Sequence, residues 1–237
     1  MKRDPGACLI CQKPLQYFNT SKKLECSICH NEFESYASCT DGHFVCDSCH
    51  SSMGISVILD FCKKTDLKDP IRIMQNIMED PFIYMHGPEH HVMVGAAIIT
   101  AYKNCGGDID LESALDEMSL RGRNYPGGSC GFWGCCGAAV SVGMAVSIIT
   151  NATPLTTKTW GLANEATSKA LGAIAELGGP RCCKRNSFTA VLKAADFIGE
   201  HFNVHLDIKS PVICDFSHEN TECKRKACPY YNKLLLK

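Results

Sequence analysis

Seventeen cysteines in 237 residues fall mostly into short-spaced sets, and the spacing separates two kinds of chemistry. The first set reads Cys8-x2-Cys11, Cys26-x2-Cys29, Cys39-x3-His43 and Cys46-x2-Cys49. Seven thiols and one imidazole make eight ligands, enough for two tetrahedral zinc ions. The order permits sequential pairing, with Cys8, Cys11, Cys26 and Cys29 on one ion and Cys39, His43, Cys46 and Cys49 on the other. It also permits a cross-braced arrangement, and spacing does not decide between them. His30 and His50 each follow a knuckle cysteine directly and read as bystanders.

The second set lies in glycine-rich loops at predicted helix N-termini. Cys130, Cys135 and Cys136 stand in one loop, Cys182 and Cys183 in another. A helix N-terminus lowers a thiol pKa and favours an anionic ligand or a cluster. Glycine lets backbone N–H groups approach cluster sulfurs or a substrate carboxylate. These five residues are the candidate cofactor ligands. Arg121, Arg123, Lys184 and Arg185 flank the two loops and could hold an anionic substrate. Trp133, between the loop glycines, reads as a shield for a cluster or a plug in the core.

A third group, His86, Glu89, His90 and His91, gathers at the start of a predicted buried helix. These are the candidate acid, base and substrate-recognition residues. His86 and His90 are four apart, but Gly87-Pro88 between them argues against a helical metal pair. The tail carries Cys214, Cys223 and Cys228, which could hold a third metal with His218 as the fourth ligand. Lys224, Arg225 and Lys226 there read as a solvated run. Cys62 and Cys105 stand alone and read as structural.

From Cys130 to Ser187 the chain resembles the α-domain of iron–sulfur L-serine dehydratases. That family pattern is a Cys-x-Gly-x-x-Gly loop, a buried Ala-rich helix, another helix and a loop ending Pro-Cys-x-x-Arg-Asn-Ala. This chain has Cys130-Gly-Phe-Trp-Gly-Cys-Cys-Gly-Ala-Ala and Pro180-Arg-Cys-Cys-Lys-Arg-Asn-Ser187. The resemblance implies a [4Fe–4S] cluster with Cys130 and Cys183, or its neighbour Cys182, among three cysteine ligands. One iron would stay open to bind substrate as a Lewis acid. The family's middle ligand lies in a Cys-Asp-Pro stretch that is missing here, which leaves Cys135, Cys136 or Cys182 to stand in. Cysteine desulfidases of anaerobes share the broad architecture, so a sulfur-handling activity is equally implied. A weaker likeness is to small redox proteins with a Gly-Cys-Ala-x-x-Gly helix start. The first fifty residues resemble a double zinc-ribbon or treble-clef module. Their Cys-x3-His-x2-Cys-x2-Cys half resembles the middle of a RING finger, but the usual downstream CxxC pair is absent, which argues against a ubiquitin-ligase role.

The elements that must position these groups are mainly helical. Residues 1–50 read as a zinc-stabilised ribbon module, with strands around 16–20, that could not fold without metal. Residues 51–205 read as a helical domain, and 206–237 as a cysteine-bearing basic tail. Helices are predicted over 71–78, 90–102, 111–120, 136–149, 156–176 and from Ser187 to about 202, with Pro70, Asp110 and Ser187 at starts. No strand pattern of comparable strength follows residue 51.

Composition narrows the function classes. A net charge of −1 makes nucleic acid and anionic membrane unexpected partners. The start has no apolar h-region, and the longest apolar stretch, about 135–149, is too short for a comfortable span. A cytoplasmic location with reduced thiols is expected, and so many thiols hint at an anaerobic host. Two readings follow. One is an iron–sulfur lyase or a redox or sulfur-transfer protein, acting on a small amino-acid-like substrate or serving a partner protein. The other is a zinc-binding adaptor for a protein or RNA, without catalysis.

Overall fold

The computed structural model describes residues 8–232. The fold is mainly α: a two-stranded ribbon precedes eight α-helices among the described residues. Strand β1 (Leu15–Glu25) pairs antiparallel with β2 (Glu32–Cys39), with a register shift between Tyr17 and Lys22. The connecting turn is the second CxxC knuckle itself. Cys26 N–H donates to the Asn31 carbonyl, and His30 takes a positive φ of 56°. An isolated ribbon of two strands is marginal in water, and the buried residues here are Ser38 and the thiols Cys8, Cys26, Cys39 and Cys46.

Helix α1 (Asp47–Lys64) starts inside the ligand set, four residues before the expected boundary at Ser51. The reason is its cap: the Cys46 sulfur accepts the Cys49 N–H, the place usually taken by Ser, Thr, Asp or Asn. The expected domain boundary therefore falls within a continuous helix. Helices α2 (Pro70–Met78) and α4 (Leu111–Arg123) start as their caps predict, with Asp69 and Asp110 accepting first-turn N–H groups.

Helix α3 (Glu89–Asn104) is apolar nearly all round and forms the centre of the core. It packs against α1, α2, α4, α6 (Gly137–Ile149) and α8 (Cys183–Phe202). Gly95 lets α4 and α6 approach α3: its N–H donates to Ser141 Oγ of α6 at 2.8 Å, and an added Cβ would lie 2.2 Å from Met118 Sδ of α4. Ser141 in turn donates to the His91 carbonyl at 2.5 Å. A short helix, α5 (Ser129–Phe132), and α7 (Lys158–Leu177) complete the domain.

Helix α8 begins at Cys183, four residues before the predicted start at Ser187. Again a sulfur is the cap: Cys182 Sγ accepts the Arg185 N–H at 3.5 Å. Residues 184–187 are consequently buried in its first turn. The tail beyond α8 runs back over the domain. Lys209 N–H reaches Asp69 Oδ2, Gln75 reaches the Ile213 carbonyl, and Tyr230 shares a hydrogen bond with Thr189. Among the described residues no helix is long and apolar enough to cross a membrane.

Candidate functional site

The eight N-terminal ligands form two tetrads: Cys8, Cys11, Cys39 and His43, and Cys26, Cys29, Cys46 and Cys49. The arrangement is cross-braced, the first knuckle joining the third pair and the second joining the fourth. Within each tetrad the ligand atoms lie within 4.8 Å of one another, so each could hold a metal ion. Cys11 Sγ and Cys39 Sγ are 3.8 Å apart, and Cys29 Sγ and Cys46 Sγ are 3.9 Å apart. Metal–sulfur bonds of about 2.3 Å in a tetrahedron demand an edge of about 3.8 Å. Backbone N–H groups point at the sulfurs: Ile10 at Cys8, Ile28 and Cys46 at Cys26, His43 at Cys39. Burial pushes the Cys26 thiol up, but the N–H groups of Cys29, Cys46 and Ile28 outweigh it and hold it at about 6. Burial and the neighbouring sulfurs push Cys49 up to about 12. Four thiols so close cannot all ionise until a cation joins them. His30 and His50 stand outside both tetrads.

The helical domain brings its cysteine loops and the histidine turn to one place. A cavity of about 270 Å³ is lined by His86, His90 and His91 from the α3 start, Cys130 and Cys136 from the glycine loop, and Cys182 and Cys183 from the α8 start. Arg181, Asn186 and Ser187 complete its wall; all three lie in the Pro180–Ser187 stretch, but none is among the candidate site residues. A larger groove of about 800 Å³ shares Cys130, Cys136, Arg181 and Asn186 with it and runs along α7.

Each histidine has one ring nitrogen fixed by an oxygen acceptor. His86 Nε2–H donates to Asn220 Oδ1 at 3.3 Å, His90 Nδ1–H to the Gly87 carbonyl at 3.1 Å, and His91 Nδ1–H to the Tyr125 carbonyl at 3.1 Å. The opposite nitrogen then carries a lone pair. His86 Nδ1, His90 Nε2 and Ser187 Oγ are buried and have no hydrogen-bond partner among the described residues. The His91 ring lies against Gly137, where an added Cβ would sit 2.3 Å from Nε2. Burial pushes all three imidazoles below their ordinary range.

Glu89 does not line the cavity. It is fully buried behind it, its Oε1 accepting the Tyr84 N–H at 3.1 Å and lying 3.3 Å from His90 Nδ1. Lys184, equally buried, donates to the Tyr84 carbonyl at 2.9 Å. The two charges thus flank Tyr84 on the same side of the core. Burial holds Lys184 down at about 8, against the pull of Glu89. Gly87 gives Glu89 its room, since a Cβ there would meet Glu89 Oε2 at 2.1 Å.

Other expectations need correction. A lowered thiol pKa was expected at the helix N-terminus, yet Cys183 is pushed up to about 12, because burial and then the Glu89 carboxylate outweigh the backbone N–H of Gly87. Cys135 does not line the cavity; its carbonyl accepts the Tyr125 hydroxyl. Arg121 pairs with Glu117 and Ser147, and Arg123 with Ser119, so neither reaches the site; Arg181 does. Trp133 is 65% exposed and Phe132 90%, so neither plugs the core.

The tail cysteines do not form a set with His218, whose ring lies beside Glu219. Cys214, Cys223 and Cys228 instead line a second, smaller cavity together with Cys182. None of the seventeen cysteines is in a disulfide.

A helical domain with a thiol–histidine cavity, carrying a cross-braced ribbon that could bind two metal ions, is the class of protein these observations define. The chain belongs to a family of unknown function, DUF5714, whose model matches residues 58–231. That span takes in both cavities and leaves the eight-ligand module outside. No curated protein and no solved structure matches the chain.

Proposed function

We propose that both tetrads hold zinc and that the helical domain acts on a small amino-acid-like or sulfur-containing substrate in the thiol–histidine cavity, as a lyase or sulfur-handling protein. One observation carries the substrate reading: His86 Nδ1, His90 Nε2 and Ser187 Oγ are buried, partnerless and on one cavity wall. Native folds pair nearly all buried polar atoms, so a polar ligand is what this wall lacks. Arg181, which lines the cavity and lies 3.5 Å from the Glu222 carboxylate in an exposed pair, suits a substrate carboxylate. A neutral imidazole with one nitrogen pinned can accept a proton on the other. The zinc reading rests on donor chemistry: closed sets of four thiolate and imidazole ligands at tetrahedral spacing.

The cluster implied by the serine-dehydratase resemblance does not fit at Cys130 and Cys183. Cys130 is exposed, Cys183 is half-buried and feels the Glu89 carboxylate, and Cys182 also faces the second cavity. An anionic cluster next to a buried carboxylate is electrostatically unfavourable. No step through an open iron follows from this site.

The test is ligand binding and turnover on protein purified without oxygen. L-serine and L-cysteine are offered, and pyruvate, ammonia and sulfide are measured beside the thermal shift. A raised Tm or product release, lost in Arg181→Gln and His90→Gln, is the expected result. No shift and no product with either amino acid overturns the reading. The exposed Phe132 and Trp133, in the loop rimming the groove, favour a second reading: a zinc-binding adaptor without catalysis.

A further inference from the structure

The second cavity gathers four cysteines from two distant parts of the chain. Cys182 comes from the α8 cap and Cys214, Cys223 and Cys228 from the returning tail, and all four face one void. Two of the sulfurs take a backbone N–H from two or three residues on: Arg185 to Cys182 and Arg225 to Cys223. The same pattern marks the N-terminal tetrads, where Ile10 serves Cys8, Ile28 serves Cys26 and Cys49 serves Cys46. Asn220, itself buried, adds a side-chain N–H to Cys182 at 3.5 Å.

The spacing distinguishes this cage from the tetrads. Among the described residues only the two N-terminal tetrads bring three or more ligand atoms within 4.8 Å of one another. The four cage sulfurs are therefore spread too widely for one tetrahedral ion. A cubane puts four irons between its thiolates and spreads them further apart. The surroundings are cationic, with Lys184, Arg185 and Lys224 on the wall. Lys184 lies 5.0 Å over the Phe216 ring, and Lys224 is held by the Leu177 carbonyl. Thiolate-ligated clusters are anionic, and buried anions need such compensation.

We propose that Cys182, Cys214, Cys223 and Cys228 hold a [4Fe–4S] cluster. This goes beyond the substrate reading and does not depend on it, because the cluster lies beside the thiol–histidine cavity rather than in it. Four thiolates leave no iron open, so the cluster is not the Lewis acid of a dehydratase. It pins the tail to α8 and sets Asn220, which holds Cys182 on one side and His86 on the other.

The experiment is iron, sulfide and zinc analysis of the full chain purified without oxygen and reconstituted with iron and sulfide. Visible absorption and low-temperature electron paramagnetic resonance after reduction accompany it. About four irons and four sulfides are expected in the parent and in Cys130→Ala, and none in Cys214→Ser or Cys223→Ser. Helical circular dichroism and unchanged N-terminal zinc keep a folding failure distinguishable from a lost ligand. If a serine variant misfolds, the parent's spectrum and stoichiometry still decide. A third zinc in place of iron, two irons instead of four, or iron lost with Cys130 and Cys183 but kept in the tail variants overturns the proposal. Each of these outcomes leaves the Arg181 and His90 binding test standing.

Discussion

The cross-brace makes a prediction that sequential pairing reverses. Cys8 and Cys39 share one tetrad, whereas Cys8 and Cys26 belong to different ones. A Cys8→Ala/Cys39→Ala variant damages one site twice and leaves the other whole. Zinc should fall from about two to about one per chain. A Cys8→Ala/Cys26→Ala variant breaks both sites, and zinc should fall to about zero. The effect is large, because a structural zinc in a small module binds with an apparent free energy of about 10–16 kcal/mol. The ribbon has no other source of stability on that scale: its buried residues are mostly its ligands, and the apolar core cluster begins at Ile55. For the same reason the helical domain should keep its melting transition in the single-site variant. The assay is metal analysis after gel filtration, with far-ultraviolet circular dichroism as the fold control. If Cys8→Ala/Cys39→Ala loses both ions while Cys8→Ala/Cys26→Ala keeps one, the pairing is sequential and the cross-brace is wrong.

Gly137→Ala would drive a methyl into the His91 ring, and an overpacking cost of about 1–3 kcal/mol should appear as a lower urea midpoint. The same substitution at Gly127, which has open space around it, should have a small effect. Glu89→Gln removes the buried carboxylate that acts on Lys184 across the Tyr84 peptide and should cost about 1–3 kcal/mol, read by urea titration, whereas Glu89→Gln/Lys184→Met should recover part of it. Burial holds His90 and His91 below their ordinary range. The unfolded chain takes up protons below about pH 6.5 while the folded chain does not, so stability is complete above that pH and falls beneath it. Each histidine adds a slope of at most about 1.4 kcal/mol per pH unit. Urea midpoints at several pH values should show the fall, and His91→Gln should flatten it.

Ligand spacing and helix punctuation were the legible parts of this chain. The eight N-terminal ligands are readable because a tetrahedral ion needs paired donors on tight knuckles, and CxxC supplies them. Helices α2, α3 and α4 are readable from Pro70, Asp69 and Asp110 and from apolar runs at helical spacing. The starts of α1 and α8 were missed because cysteine sulfurs cap them, and capping rules look for oxygen. The Cys183 thiol was misjudged because the dipole argument is local, while the burial that opposes it comes from tertiary packing. That Cys182 shares a cavity with the tail cysteines was out of reach for a related reason. Cys182 and Cys214 line one cavity only because the tail returns across α8, an approach with no periodic signal.

Three sites that the sequence presents as separate are joined through one residue without a motif. Helix α1 carries Cys46 at its cap and Cys49 in its first turn, so the second tetrad fixes the helix start. The next residue, His50, is buried and stacks on the Tyr84 ring. The Tyr84 peptide receives Lys184 on its carbonyl and gives its N–H to Glu89, which lies behind the histidine wall. Lys184 in turn lines the cage of Cys182, Cys214, Cys223 and Cys228. Contiguity alone is not coupling, but it separates the tetrads. Breaking the second tetrad with Cys29→Ala should loosen the His50–Tyr84 stack and lower the melting temperature of the helical domain. Breaking the first with Cys11→Ala should not, because Cys8, Cys11, Cys39 and His43 all precede α1. Equal losses from both variants would mean that the ribbon acts on the domain only as a whole and that Tyr84 transmits nothing.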